Sequence, residues 1–161
     1  MQASFALGLF FFLLSALPAF TQPVSSAYVG RDGKAHIVFL KHSQTIAPED
    51  QQVGCEGITV ARDRHSVAWS ILVPNCCTSY PIPTAVVVQS DGRKTVIHPD
   101  GLMVHSWHFV GRGERIAILF GPVHGEAAGA RLYDSRTGKT LALWDTKGVP
   151  PDWAKGLKPE E

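Results

Sequence analysis

Residues 109–122, FVGRGERIAILFGP, set two glycines around an arginine and then run into an unbroken apolar stretch. Two readings compete for this segment: a glycine-rich cradle for a phosphate, or the turn of a β-hairpin. A dinucleotide fingerprint needs a third glycine three residues on and a helix to follow, so that backbone amides and the helix dipole face the pyrophosphate. Position 116 is Ile116, and a strand-like run, Ile116 to Phe120, follows instead. No G-x-x-x-x-G-K-[ST] loop occurs elsewhere; Thr137-Gly138-Lys139-Thr140 has its end without the leading glycine. The segment therefore reads as a turn between strands.

The same pattern recurs. Val29-GRDGKAHIV, Val60-ARDRHSVAW and Phe109-VGRGERIAI superimpose without gaps: an apolar residue, a turn holding Arg or Gly, a basic or polar pair, then an apolar run. This is one hairpin written three times. The second and third copies are followed by another strand pair around a tight turn, AVVVQSDGRKTVI and ARLYDSRTGKTLALW, which gives a four-strand unit of about 45 to 50 residues.

Strands are expected at Ala27 to Val29, Ala35 to Leu40, Ile58 to Ala61, Ser66 to Val73, Ala85 to Gln89, Lys94 to His98, Met103 to Val110, Arg115 to Phe120, Gly129 to Asp134 and Lys139 to Trp144. Short runs rich in Val, Ile, Phe and Trp lie there between Gly-containing turns, and long 3.6-residue periodicity is absent after the N-terminus. Ile116 to Phe120 and Ala85 to Val88 are apolar at every position, so both faces of those strands are expected to be covered. Two polar connections, His42 to Gly57 and Asn75 to Pro83, are expected to be loops, where function concentrates on a β scaffold.

Phe109 to Trp144 resembles one blade of the TolB-like and WD-repeat β-propellers. Their inner hairpin commonly reads F-S-P-D-G-K-R-I-A-F, matched in register by Phe109, Gly113, Arg115, Ile116 and Ala117. Their outer hairpin reads L-Y-D-x-x-T-G-K-x-L, matched by Leu132, Tyr133, Asp134, Thr137, Gly138, Lys139 and Leu141. Val60 to Ile97 follows more loosely through Asp63, Val67, Ala68 and Gly92, and the first copy keeps Asp32-Gly33-Lys34. Val110-Gly111-Arg112 stands where the family has Ser-Pro-Asp. About two and a half blades can be counted, fewer than a closed propeller uses. The resemblance implies an all-β fold of antiparallel, propeller-blade-like repeats, a partial propeller; a β-sandwich or barrel is the alternative on strand spacing alone.

Composition sets the outer bounds. The chain has 161 residues, 45% hydrophobic and 18% charged, with a formal net charge of +1, a profile of one ordinary globular domain. Residues 1–21 read as an export signal: no Lys, Arg, Asp or Glu occurs in Met1 to Gln22, and the apolar run FALGLFFFLLSAL, 13 residues, is short for a membrane span. Cleavage is expected after Ala19 or Thr21, leaving a single β-repeat domain over residues 22–146 and a Pro-rich, charged tail over 147–161. Trp153 is expected to anchor that tail, through one helical turn begun at Asp152. A secreted or periplasmic location follows, with no stable membrane insertion once the signal is removed. Basic residues form no stripe, so nucleic acid is disfavoured.

In an oxidising compartment, Cys55, Cys76 and Cys77 would leave one disulfide and one free thiol, the bond running from Cys55 to Cys76 or Cys77. The alternative is that all three are small buried hydrophobes. Seven histidines are spread along the chain, and His98, His105, His108 and Asp100 invite comparison with a metal centre. Residues three apart on a strand point to opposite faces, so His105 and His108 could share an ion only across a β-bulge. If Lys94 to His98 pairs with Leu102 to Ser106, His105 faces Thr95 and not His98. No cofactor is expected.

There is no G-x-S-x-G nucleophile elbow, and the 14 Asp and Glu include turn residues such as Asp32, Asp91 and Asp100. The loop Gly121 to Glu126 joins two central strands, which makes His124 and Glu126 candidates for a ligand contact. The functional expectation is an exported, non-enzymatic binding or assembly module for an unidentified protein or small molecule, capable of self-association. The alternative is a small secreted hydrolase or metal-dependent enzyme using the His98, His105, His108 and His124 region.

Overall fold

The computed structural model describes residues 22–100 and 103–158. The expected export signal lies outside the described residues, as does the Gly101 end of the Pro99-Asp100-Gly101 turn. Among the described residues no helix is long and apolar enough to cross a membrane.

The described residues are all-β, in three antiparallel sheets laid down one after another. Sheet 1 is β1 (Val24–Val29), β2 (Ala35–Phe39) and β3 (Ser43–Thr45). Sheet 2 is β4 (Gly54–Val60), β5 (Ser66–Val73), β6 (Ile82–Ser90) and β7 (Arg93–Ile97). Sheet 3 is β8 (Met103–Val110), β9 (Arg115–Gly121), β10 (Gly129–Asp134) and β11 (Thr140–Trp144). Each sheet is a meander of sequential neighbours, so every repeated hairpin opens a new sheet: β1-β2, β4-β5 and β8-β9. The ten expected strands are all present; β3, polar and exposed, is the addition, within the stretch expected to be a loop.

Sheet 2 is the middle layer. In β5 and β6, Val67, Trp69, Ile71, Ala85 and Val87 pack with Val24, Ala35 and Ile37 of sheet 1. Ala68, Val86 and Val88 turn the other way and, with Ile97, pack with Val104, Ile116, Ile118 and Tyr133 of sheet 3. Side chains alternate between faces along a strand, so a strand apolar at every position fits between two sheets. That is the physical content of the runs SVAWSIL and AVVV. The arrangement is that of consecutive antiparallel sheets stacked face to face, consistent with partial blades or a sandwich, and among the described residues it closes into no barrel.

The repeated turns also hold the stack together. The Val24 N–H donates to the Arg64 carbonyl (2.6 Å) and the Asp63 N–H to the Arg112 carbonyl (2.7 Å), so the β4–β5 and β8–β9 turns are each tied to the preceding sheet. Asp63 shapes its own turn by accepting from the backbone of His65 (2.8 Å) and Ser66 (3.0 Å). The outer hairpin of sheet 3 uses Asp134 in the same way, accepting from Arg136 N–H (3.1 Å), Thr137 N–H (2.8 Å) and the Thr137 hydroxyl (2.8 Å).

The far face of sheet 3 carries Ala117, Leu119, Ala130 and Leu132, which register places opposite to Ile116 and Ile118 and which are all buried. The C-terminal segment lies on this side. A short 3-10 turn, Asp152–Ala154, forms where expected and buries Ala154. Nε2 of His108 pairs with the Trp153 carbonyl (3.1 Å), and the Lys158 N–H donates to Ser106 Oγ (3.1 Å).

The pairing of Lys94 to His98 with Leu102 to Ser106 does not occur. β7 is the outer edge of sheet 2, and β8 pairs with β9 in sheet 3. β7 and β8 thus lie in different sheets and do not pair with each other.

Candidate ligand cleft

Gly111-Arg112-Gly113 is a docked turn. Its amides face an anion that the chain itself supplies, because the Arg112 N–H donates to the Glu114 carboxylate (2.8 Å). Backbone hydrogen bonds from Glu114, Arg112 and Gly113 hold that carboxyl below its ordinary range. A phosphate would meet a carboxylate at this position.

Of the histidines singled out by sequence, the structure separates two from the rest. His98 is exposed just past β7, in a hollow it shares with Glu49 and Asp50. His108 is committed to the Trp153 carbonyl. Asp100 pairs with Arg131 across the connection, and this partner keeps its carboxyl low. Among the described residues, no three His, Cys, Asp or Glu side chains gather as a metal site would require. Other histidines are held at the surface of sheets 1 and 2: His36 stacks on Tyr28 (5.0 Å between centroids), His42 on Phe39 (4.6 Å), and His65 lies 3.6 Å from Asp91.

His105 is different. It is 5% exposed, and neither Nδ1 nor Nε2 has a hydrogen-bond partner. Its position comes from a β-bulge: Val104 pairs with Phe120 and Ser106 with Leu119, so His105 is the extra residue in β8. The bulge inverts the parity of the strand. Val104 before it and Trp107 and Phe109 after it can then all face sheet 2. The bulge meets the condition under which His105 and His108 could share a face, but His108 is held by the Trp153 carbonyl while His105 lies against Gly121, and the two serve different surroundings.

The bulged imidazole packs over Gly121, where a Cβ would come within 2.8 Å of Nε2. It forms part of the walls of two adjoining clefts of about 440 Å³ each, both of which also include Glu56 of β4. One runs past Ser70, Ser106 and Trp107, where the indole N–H is already given to Ser70 Oγ (2.8 Å). The other is bounded by Tyr80, Pro81, Pro83, Met103 and His124. Volumes of this order suit a small organic ligand. The cleft sets the His105 ring and Glu56 beside an apolar wall of Pro83 and Met103, an arrangement suited to holding a molecule with one polar end.

His124, expected from sequence as a ligand contact, borders this cleft; Glu126 is exposed and lies outside it. Sequence reasoning named His105 among several histidines without separating it from them. It missed Glu56 and the Tyr80 to Pro83 wall, which lie far from His105 in the chain. The expectation of function in the two polar connections did point there: Glu56 lies in His42 to Gly57, and Tyr80 to Pro83 in Asn75 to Pro83.

The three cysteines are free thiols. The expected bond from Cys55 is not formed: Cys55 is buried between sheets 1 and 2 with its thiol directed at the Gly33 carbonyl (3.2 Å), while Cys76 and Cys77 sit exposed in the β5–β6 connection. The alternative of three buried cysteines holds for Cys55 alone.

No protein-family model matches the chain, and no curated protein matches it in sequence.

Proposed function

We propose that this chain is an exported, non-enzymatic binding module of blade-like β repeats, and that it takes a small polar ligand in the cleft between sheets 2 and 3. The observation that carries this reading is His105, a buried imidazole with both ring nitrogens unpartnered. A buried polar group left without a hydrogen bond costs about 1–3 kcal/mol, so a ligand that supplies the missing bond recovers what the empty fold lacks. The surrounding walls give that ligand its shape: a hydrogen-bonding group toward His105 and Glu56, and an apolar part against Pro83 and Met103. Nothing in this chemistry needs a nucleophile or a bound metal.

The reading is tested by thermal-shift screening of small amines, amides and carboxylic acids against the wild-type chain and His105→Leu. Compounds that raise the melting temperature of the wild type and leave His105→Leu unmoved support the cleft. A set of hits that acts equally on both proteins would place binding elsewhere and overturn the proposal.

A further inference from the structure

Cys76 and Cys77 occupy the connection between β5 and β6, both exposed, with their Sγ atoms 2.7 Å apart. The loop holds them there through its own hydrogen bonds: Asn75 Nδ2 donates to Thr78 Oγ1 (3.2 Å), and the Thr78 hydroxyl donates to the Tyr80 carbonyl (2.6 Å). Pro74 and Pro81 stiffen the ends of the connection. Two thiols in contact, open to solvent and on a stapled turn, are placed to react as a pair.

We propose that Cys76 and Cys77 form a vicinal dithiol that exchanges with glutathione-type disulfides, closing reversibly into a disulfide between adjacent residues. The chemistry proceeds in two exchanges. One cysteine thiolate attacks a sulfur of the low-molecular-weight disulfide, forming a mixed disulfide and expelling one small thiolate. The second cysteine thiolate then attacks the protein sulfur of that mixed disulfide, forming the Cys76–Cys77 bond and expelling the other. Two protein thiols are oxidised, one small disulfide is reduced to two thiols, and the cysteine protons pass through solvent to the departing thiolates.

Reversibility follows from covalent geometry. Adjacent Cα atoms lie about 3.8 Å apart across a trans peptide, whereas disulfides ordinarily span about 4.4–6.8 Å. A bond closed under that constraint is strained, and strained, exposed disulfides are the readily reduced ones. Hydrogen bonding to Cys76 raises the Cys77 thiol above its ordinary range, in keeping with one thiolate forming at a time. Cys55 is the internal contrast: burial raises its thiol, and it faces the Gly33 carbonyl away from solvent. The inference does not depend on what the cleft binds, although Tyr80 and Pro81 of the same loop border it.

The test uses the full chain, equilibrated with oxidised and then reduced glutathione, alkylated, and mapped by peptide mass spectrometry. The peptide holding Cys76 and Cys77 is expected to lose two hydrogens under oxidised glutathione and regain them under reduced glutathione, with Cys55 alkylated only after unfolding. Cys76→Ser should instead stop at a glutathione adduct on Cys77. Two free thiols throughout, a lasting mixed disulfide in the wild type, or a bond to Cys55 would each overturn the proposal. The wild-type map alone decides the matter if a variant fails to fold.

Discussion

Gly113 shows how much a single position contributes. Its φ of 143° is one that side chains rarely adopt, and a Cβ there would lie 2.6 Å from Asp63 Oδ2 and 2.9 Å from the Ala61 Cβ. Its carbonyl also accepts from the buried Ser135 hydroxyl (2.7 Å). Gly113→Ala is therefore expected to cost about 2–3 kcal/mol in urea unfolding, from overpacking and backbone strain together. Asp134 is a milder case with a pH signature. The Thr137 hydroxyl bond, with backbone donors, holds its carboxyl below the ordinary value. A depressed carboxylate stabilises above its unfolded pKa and loses that contribution as pH falls through the folded value. Asp134→Ala is expected to destabilise by about 1 kcal/mol at pH 7, with the gap from wild type narrowing below about pH 4. Matched unfolding curves at pH 7 and pH 3 check both statements. Residue types at these turns were legible in the sequence because Gly and Asp are demanded by local backbone geometry. The burial of His105 was not, because nothing local distinguishes it from His98 or His108.

At the level of elements, the strands were legible wherever burial wrote an apolar run between turns. β5, β8 and β10 fall on their expected residues. β3 escaped because Ser43–Thr45 is a polar, exposed edge strand paired only with β2, and its backbone hydrogen bonds leave no hydrophobic trace. The bulge in β8 escaped for another reason. It exists so that Val104, Trp107 and Phe109 share a face, and that requirement comes from sheet 2, a different part of the chain. The layered reading of β5 is open to direct test. Trp69 is 2% exposed and packs toward sheet 1, so Trp69→Ala is expected to cost about 3–5 kcal/mol. Ile118→Val, at the sheet 2–sheet 3 boundary, should cost about 0.5–1.5 kcal/mol. Equilibrium urea unfolding of both variants checks the ranking, and a near-neutral Trp69→Ala would contradict a covered inner face.

For the whole molecule, three stacked sheets explain why the apolar positions of β5, β6 and β9 are nearly all buried while the clefts open at a sheet boundary. β4 and β8 belong to neighbouring sheets, and the cleft forms between them where the bulge turns His105 away from the regular alternation. A cleft assembled from β4, the β5–β6 connection and β8 could not be read along the chain, because its parts meet only through packing. The same packing gives the account its sharpest consequence. If His105 is retained for a ligand, it lowers the stability of the empty fold, since its ring nitrogens are buried without partners. Leucine has a similar volume and no polar atoms to satisfy. The decisive measurement is the unfolding free energy of His105→Leu against wild type by urea titration at pH 7, without added ligand. A gain of about 1 kcal/mol for His105→Leu is the result expected; a loss of that size would show His105 to be a stabilising core residue and contradict the cleft as a binding site.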